Sequence, residues 1–296
     1  MSMRRGVFLL FFLPIFLYAQ VEQAVMQQIY EESRTSYKYG MVVAPPDNHH
    51  KYDCPTVFRH GDKWLMTYVC YDGKEGNDGR GYETWLAESD DLLHWNTVGR
   101  VLQLPDETGK AGADNRQAAS SLWDQNQRGG FPALIDYTWG GTYELQTFKD
   151  NHWMTYIGGP GTGYEAVNAP LSIGLASIKK DDFFVQDAKN HHFIVTPWNT
   201  YNQPILSYND SEAQWWEQLT QYKSTIYWIK DKQKRIKGAE KYPFVMYYNA
   251  GGKDATHPKG ERIGIALSKD LKKWKRYDGN PVFAHDSDGT ITGDAQ

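Results

Sequence analysis

Among the side chains of this 296-residue sequence that could do chemistry are carboxylates near the starts of expected strands. Asp53 stands in Tyr-Asp-Cys-Pro-Thr-Val, Glu144 in Thr-Tyr-Glu-Leu, Glu261 in Lys-Gly-Glu-Arg-Ile-Gly and Asp294 in Gly-Asp-Ala-Gln. Carboxylates gathered at one place raise one another's pKa, so one keeps its proton near neutrality while another stays ionised. That division is what acid/base cleavage of an acetal linkage requires. One group protonates the leaving oxygen and the other works on the opposite face. Acids also flank strand ends as ordinary turn residues, so the elements that carry them must decide.

Other chemistries find little support. The sequence has no G-x-S-x-G, no H-E-x-x-H and no P-loop, and its glycine-rich Gly158–Gly163 stretch leads into no helical pattern. Asp286-Ser-Asp288-Gly289 starts like a calcium loop but lacks the later Glu, and the nine His residues form no ligand spacing. No metal site is therefore expected. Cys54 and Cys70 flank a predicted hairpin turn at residues 59–63, which leaves a disulfide and two buried thiols both open; without C-x-x-C neither implies redox catalysis. The formal charge of −4 gives no basic footprint for nucleic acid. The lysine-rich run at 230–241 reads as a solvated hairpin tip.

An internal repeat shows which elements must position the acids. Ala87-Glu-Ser-Asp-Asp-Leu-Leu-His-Trp95 matches Ala266-Leu-Ser-Lys-Asp-Leu-Lys-Lys-Trp274 as A-x-S-x-D-L-x-x-W, and a degenerate copy runs from Ala176 to Phe184. The alanines are 89 and 90 residues apart. Each copy follows an aromatic run: Trp64-Leu-Met-Thr-Tyr68, Trp153-Met-Thr-Tyr156 and Phe244-Val-Met-Tyr-Tyr248. These runs are short, β-branched or aromatic, and bounded by turn residues, so they read as hairpin strands. A further strand is expected ahead of each, at 56–58, 143–148 and 224–229. Four antiparallel strands per repeat make a propeller blade, with the Asp-Leu-x-x-Trp corner as a turn and its Trp packed between blades.

Aromatic hairpins followed by Gly-Ile-Ala-Leu-Ser-Lys-Asp-Leu-Lys-Lys-Trp and then Gly279-Asn-Pro-Val-Phe283 resemble the five-bladed β-propeller glycosidases of glycoside hydrolase family 43 and its relatives, families 32, 62, 68 and 117. The resemblance covers about residues 52–296. It implies an all-β, five-bladed propeller that cleaves glycosidic bonds of plant or microbial oligo- and polysaccharides, with acids on the propeller axis where innermost strands begin. On that resemblance Asp53 matches the general base, although Asp-Cys-Pro replaces the usual Asp-Pro. Glu144 would open the second inner strand, Asp294 would tune the acid, and Glu261 or Glu144 would be the acid itself. His257 parallels a family 117 histidine near such a Glu. An inverting mechanism is expected. No cofactor is implied, although some related propellers hold a structural cation on the axis. The alternatives are a non-catalytic carbohydrate-binding propeller and a family 130-like phosphorylase. Trp123, Trp139 and Trp198, with Trp215 and Trp216, fall outside the repeat, where their rings could stack on sugar as a carbohydrate substrate binds.

Residues 1–19 read as a secretory signal: Arg4 and Arg5, an apolar run over 7–17, and small Ala19 at the cleavage point. Their removal takes the formal charge from −4 to −6. A secreted or periplasmic location and no membrane attachment after cleavage follow as expectations. Residues 20–50 form a lead-in with a short helix spaced by Val21, Val25 and Ile29 and expected on the propeller rim; residues 51–296 form the propeller. The repeat length fits three whole blades and the start of a fourth before Gln296, so the expected domain is a propeller cut short at its C-terminus.

Overall fold

The structure, a computed structural model, describes residues 22–33, 40–72, 80–105, 122–164, 169–186, 193–252 and 261–284. It divides into an N-terminal unit ending at Gly40 and a larger unit from Met41 onward. The first holds α1 (Gln23–Ser33), where Gln27 and Gln28 donate to Glu31 and Glu32 one turn on. Among the described residues no helix is long and apolar enough to cross a membrane.

The second unit is a β-propeller assembly built from three sheets. Blade 1 runs β1 (His50–His60), β2 (Lys63–Asp72), β3 (Tyr82–Ser89) and β4 (Asn96–Leu102) in simple antiparallel order. Blade 2 holds β5 (Gln127–Ala133), β6 (Asn151–Gly159) and β7 (Ser172–Lys179). A hairpin of β8 (Val185–Gln186) and β9 (Phe193–Ile194) intervenes before its outer strand, β10 (Asn199–Thr200). Blade 3 runs β11 (Thr220–Trp228), β12 (Phe244–Gly251), β13 (Arg262–Ser268) and β14 (Trp274–Arg276), and β15 (Phe283–Ala284) pairs with the start of β13.

The repeated A-x-S-x-D-L-x-x-W motif closes the same turn in blades 1 and 3. Ser89 Oγ accepts from the amides of Asp91 and Leu92, while Asp91 Oδ1 accepts from those of Leu93 and His94. The Trp95 indole then donates to the Leu92 carbonyl. Ser268, Asp270 and Trp274 make the equivalent bonds. Both leucines adopt a left-handed backbone, φ 68° and 69°, held by these side-chain caps.

Blade 2 departs from expectation at its inner strand. The sequence pattern predicts a strand at 143–148, but β5, which starts sixteen residues earlier, pairs with β6 along its whole length. The β5 sequence, Gln-Arg-Gly-Gly-Phe-Pro-Ala, has low strand propensity. Two circumstances make it a strand all the same. It is the sheet edge, so Pro132 forfeits no ladder bond. It is also buried at every residue, and a Cβ on Gly130 would lie 2.4 Å from Met154 Sδ.

Two apolar clusters join the blades. Phe58, Leu65 and Leu86 of blade 1 meet Met154, Tyr156 and Ile178 of blade 2. Ala133, Trp153 and Leu175 of blade 2 meet Phe244, Met246 and Tyr248 of blade 3. Matching polar plugs sit between them. Asp124, fully buried, accepts from Tyr156 Oη at 2.7 Å and pairs with Arg128; Glu217, also fully buried, accepts from Tyr248 Oη at 3.3 Å and pairs with Arg276. Trp123 stacks on Tyr156 and Trp216 on Tyr248, each with ring centroids 5.7 Å apart.

Candidate active site

Two inner strands carry a bulge at the same end. In β1 the register with β2 shifts between Asp53 and Thr56, and Cys54 takes a left-handed backbone at φ 52°. In β11 the register with β12 shifts between Gln221 and Ser224, which swings out Tyr222 and Lys223. Bulges re-aim side chains at sheet edges, and here each frees residues from the ladder, Cys54 in β1 and Tyr222 and Lys223 in β11. The thiol of Cys54 and the ammonium of Lys223 are hydrogen-bonded, and Lys223 also feels the charges of Asp53 and Glu261. Cys54 and Tyr222 both pack against Phe131, Ile157 and Leu171, so the floor beneath this group belongs to blade 2.

Glu261 reaches the site from the residue immediately before β13, and Asn249 of β12 donates its amide to Glu261 Oε2 at 2.5 Å. Asn249 is only 7% exposed, and its Oδ1 has no hydrogen-bond partner among the described residues. A substrate hydroxyl would satisfy that acceptor. Asp53, Cys54, Lys223 and Glu261 are all partly exposed, as groups that meet a ligand must be.

The electrostatics separate their roles. Burial pushes the Cys54 thiol up to about 12, against the pull of Lys223, so it is neutral at physiological pH and unsuited to be a nucleophile. Burial works to lower Lys223 as well. The Cys54 sulfur, Asp53 and Glu261 outweigh it and hold the ammonium above the ordinary lysine value. A fixed positive charge thus stands beside two carboxylates from different blades.

The sequence candidates are distributed as follows. Asp53 and Glu261 both act on the charge of Lys223. Glu144 does not open an inner strand. It bridges Arg59, six residues along β1 from Asp53 and roughly 20 Å away at about 3.3 Å per residue. Its neighbours there are the far-end groups: Arg59 N–H donates to the Tyr143 carbonyl, and Glu144 acts on the charge of His60. The 143–148 segment is a connection that crosses the opposite end of blades 1 and 2. Trp139 is 56% exposed in that same connection, away from Asp53. Trp123 stacks on Tyr156 between blades, and Trp198 is 4% exposed and packed on Phe183, so both rings serve the interior. His257, Asp294 and the Asp286–Gly289 stretch lie outside the described residues. Cys54 and Cys70 form no disulfide, because Cys70 pairs with Tyr52 in the ladder and Cys54 turns away in the bulge. Among the described residues no group of three or more His, Cys, Asp or Glu side chains is arranged to hold a metal ion.

Two residues of the site escape a reading of the sequence. Lys223 and Asn249 lie inside otherwise ordinary aromatic strands, and only the bulge and the ladder register turn them to the site. A lysine in mid-strand was the one available signal. Of the tryptophans outside the repeat, Trp215 is the one placed near the acids. It is 38% exposed and sits at the Glu261 end, with the Arg262 guanidinium 4.8 Å from its ring centroid.

No protein-family model matches the chain, and no curated protein matches it. Among solved structures, one described as a BT0996 complex with RGII is similar over 94% of this chain and 70% of its own, with 62% identity and a TM-score of 0.75. A second, described as "Glycoside hydrolase", has the same identity, coverage and TM-score. At that identity and coverage the shared chemistry follows the shared fold: the chain belongs to the glycoside hydrolases of β-propeller architecture and is a glycosidase.

Proposed function

We propose that the bulged ends of β1 and β11 form the glycosidic cleavage site, with Asp53 as general base and Glu261 as general acid. The observation that carries this reading is that both carboxylates, from blades 1 and 3, act on the charge of the one Lys223 ammonium, which Cys54 beside Asp53 also touches. Glycoside cleavage needs two carboxyl groups on opposite sides of the scissile bond, and these two come from different blades. Asn249 holds one Glu261 oxygen and so fixes the direction in which the carboxyl presents its proton. Lys223 orients Asp53 and offsets the negative charge that two carboxylates would accumulate. An inverting course, with Asp53 activating water, is the expected outcome.

The substrate is a carbohydrate of the kind named for the similar structure, RGII. Trp215 offers an exposed ring beside Glu261 for a sugar face. The enzyme works outside the cytoplasm after loss of residues 1–19, so the mature chain should begin at Gln20, as N-terminal sequencing of exported protein would establish. The functional test is hydrolysis of RGII oligosaccharides and aryl glycosides, furanosides included, with the product anomer followed by NMR. Release of the inverted anomer supports the scheme. Release of the retained anomer would recast Asp53 as a nucleophile, and absence of any hydrolysis would remove the site assignment.

A further inference from the structure

The end of the propeller unit opposite Asp53 carries a concentration of cations that the cleavage site does not use. Residues 230–241, the β11–β12 connection, hold six Lys or Arg and two Asp or Glu, and residues 269–273, the β13–β14 turn, hold three Lys and one Asp. Both connections leave blade 3 at the same end, because β12 begins and β13 finishes there in register, Phe244 opposite Ser268. This excess sits in a chain of net charge −4. In blade 1 the corresponding turns instead present Asp62, Asp90 and Asp91.

The patch is a built surface. Asp231 accepts from the Gln233 amide to start a short 3-10 turn, and the Arg235 guanidinium donates to the carbonyls of Ile229, Lys230 and Glu240. That closes the connection on itself and leaves its lysines pointing outward. Lys230 stands 4.5 Å from the Trp228 ring centroid, Lys241 and Lys269 share the Tyr242 ring at 5.2 and 5.7 Å, and Lys272 lies 5.0 Å from that of Tyr201. Lys149 of blade 2 adjoins the same surface, over Phe148, which meets Trp228 edge-on at 5.7 Å. Ammonium groups interleaved with ring faces supply both halves of what an acidic sugar chain presents: carboxylates for the cations and C–H faces for the rings.

We propose that this surface of blade 3 binds an acidic polysaccharide, a uronate-bearing chain, at a place remote from the cleavage site. It would hold the enzyme on a charged polymer while Asp53 and Glu261 work on another part of it. The inference rests on the glycosidase reading only for the choice of a polysaccharide as the polyanion.

The probe is polygalacturonate, in affinity electrophoresis and in titration of the full chain, with dextran as the neutral polymer and duplex DNA as the non-sugar polyanion. The variant replaces Lys230, Lys232, Lys241 and Lys269 with Ser and spares Arg235, which locks the loop. Binding to polygalacturonate but not to dextran is expected. It should weaken about tenfold or more in the variant, and again when salt rises from about 50 to about 200 mM. Melting temperature and hydrolysis of a small aryl glycoside should stay at wild-type values in the same variant. An Asp53→Asn protein should bind the polymer as wild type does, which separates this surface from the cleavage site. Equal retardation by DNA and polygalacturonate would overturn the proposal in favour of unspecific charge attraction. No binding, or binding that the four substitutions leave unchanged, would overturn it as well.

Discussion

Lys223 is the residue that ties the site together. Its ammonium is held by the Cys54 sulfur, Asp53 and Glu261 against the pull of burial. Replacing it by Met removes that cation from beside the two carboxylates. Lys223→Met should therefore lower kcat/KM roughly tenfold or more at a wild-type melting temperature, and Lys223→Arg should restore most of the loss. A kcat/KM that Lys223→Met leaves in place would make Lys223 a packing residue. Cys54 is expected to behave differently. Its thiol is raised to about 12 by burial, so Cys54→Ser should keep most of the activity, within about tenfold, whereas loss beyond about a thousandfold would mark it as a nucleophile.

At the scale of elements, the repeat was legible because each letter of A-x-S-x-D-L-x-x-W has a physical task. The Ser and Asp cap amides, the Leu takes the left-handed turn and the Trp returns a hydrogen bond. The blade 2 inner strand was hidden for an equally physical reason. Its Gly-Gly-Phe-Pro core suits a buried edge packed against Met154 but has no β-branched residue and only one aromatic by which a strand could be recognised. Glu144 goes astray with it: an acid expected at the start of a strand lies instead in a connection at the wrong end of the molecule. The strands beside Asp53 and Glu261 were readable because the repeat located them, although β1 begins at His50, ahead of the expected 56–58, and Asp53 lies within it. Lys223 and Asn249 were not readable, because a bulge leaves no mark in the composition of its strand.

Two expectations belong to this scale. Gly264 and Gly174 occupy equivalent places beneath Tyr248 and Tyr156; a Cβ on Gly264 would lie 2.4 Å from the Trp216 ring and 2.9 Å from Tyr248. Gly264→Ala should destabilise by about 1–3 kcal/mol in denaturant titration, as overpacking does. The buried His152, 3% exposed, is lowered to about 4 by burial and by His60, whose ring centroid is 5.6 Å away. The unfolded chain takes up that proton near 6.5 and the folded chain only near 4, so acid favours unfolding. Stability should be flat above about pH 6.5 and fall as pH drops toward 4, by about 3 kcal/mol from this group. Melting temperatures across that range should show the fall, and His152→Phe should reduce it.

The unit from Met41 onward separates two surfaces along the length of its strands. The bulged ends gather Asp53, Lys223, Asn249 and Glu261 over a floor from blade 2, and the opposite ends of blade 3 present the lysine–aromatic surface. Rigidity between the blades keeps the carboxylates of blades 1 and 3 in register, and it comes from apolar clusters pinned by the Asp124–Arg128 and Glu217–Arg276 pairs. The central claim is that Asp53 and Glu261 cleave the glycosidic bond as a pair. Its most direct test is steady-state hydrolysis of RGII oligosaccharide by Asp53→Asn, Glu261→Gln and the double variant, each with a wild-type melting temperature. Each single change should lower kcat by about a thousandfold or more, and the double should cost little beyond the worse single, because the two groups act as a unit. A folded Asp53→Asn or Glu261→Gln enzyme that turns over at the wild-type rate would contradict it.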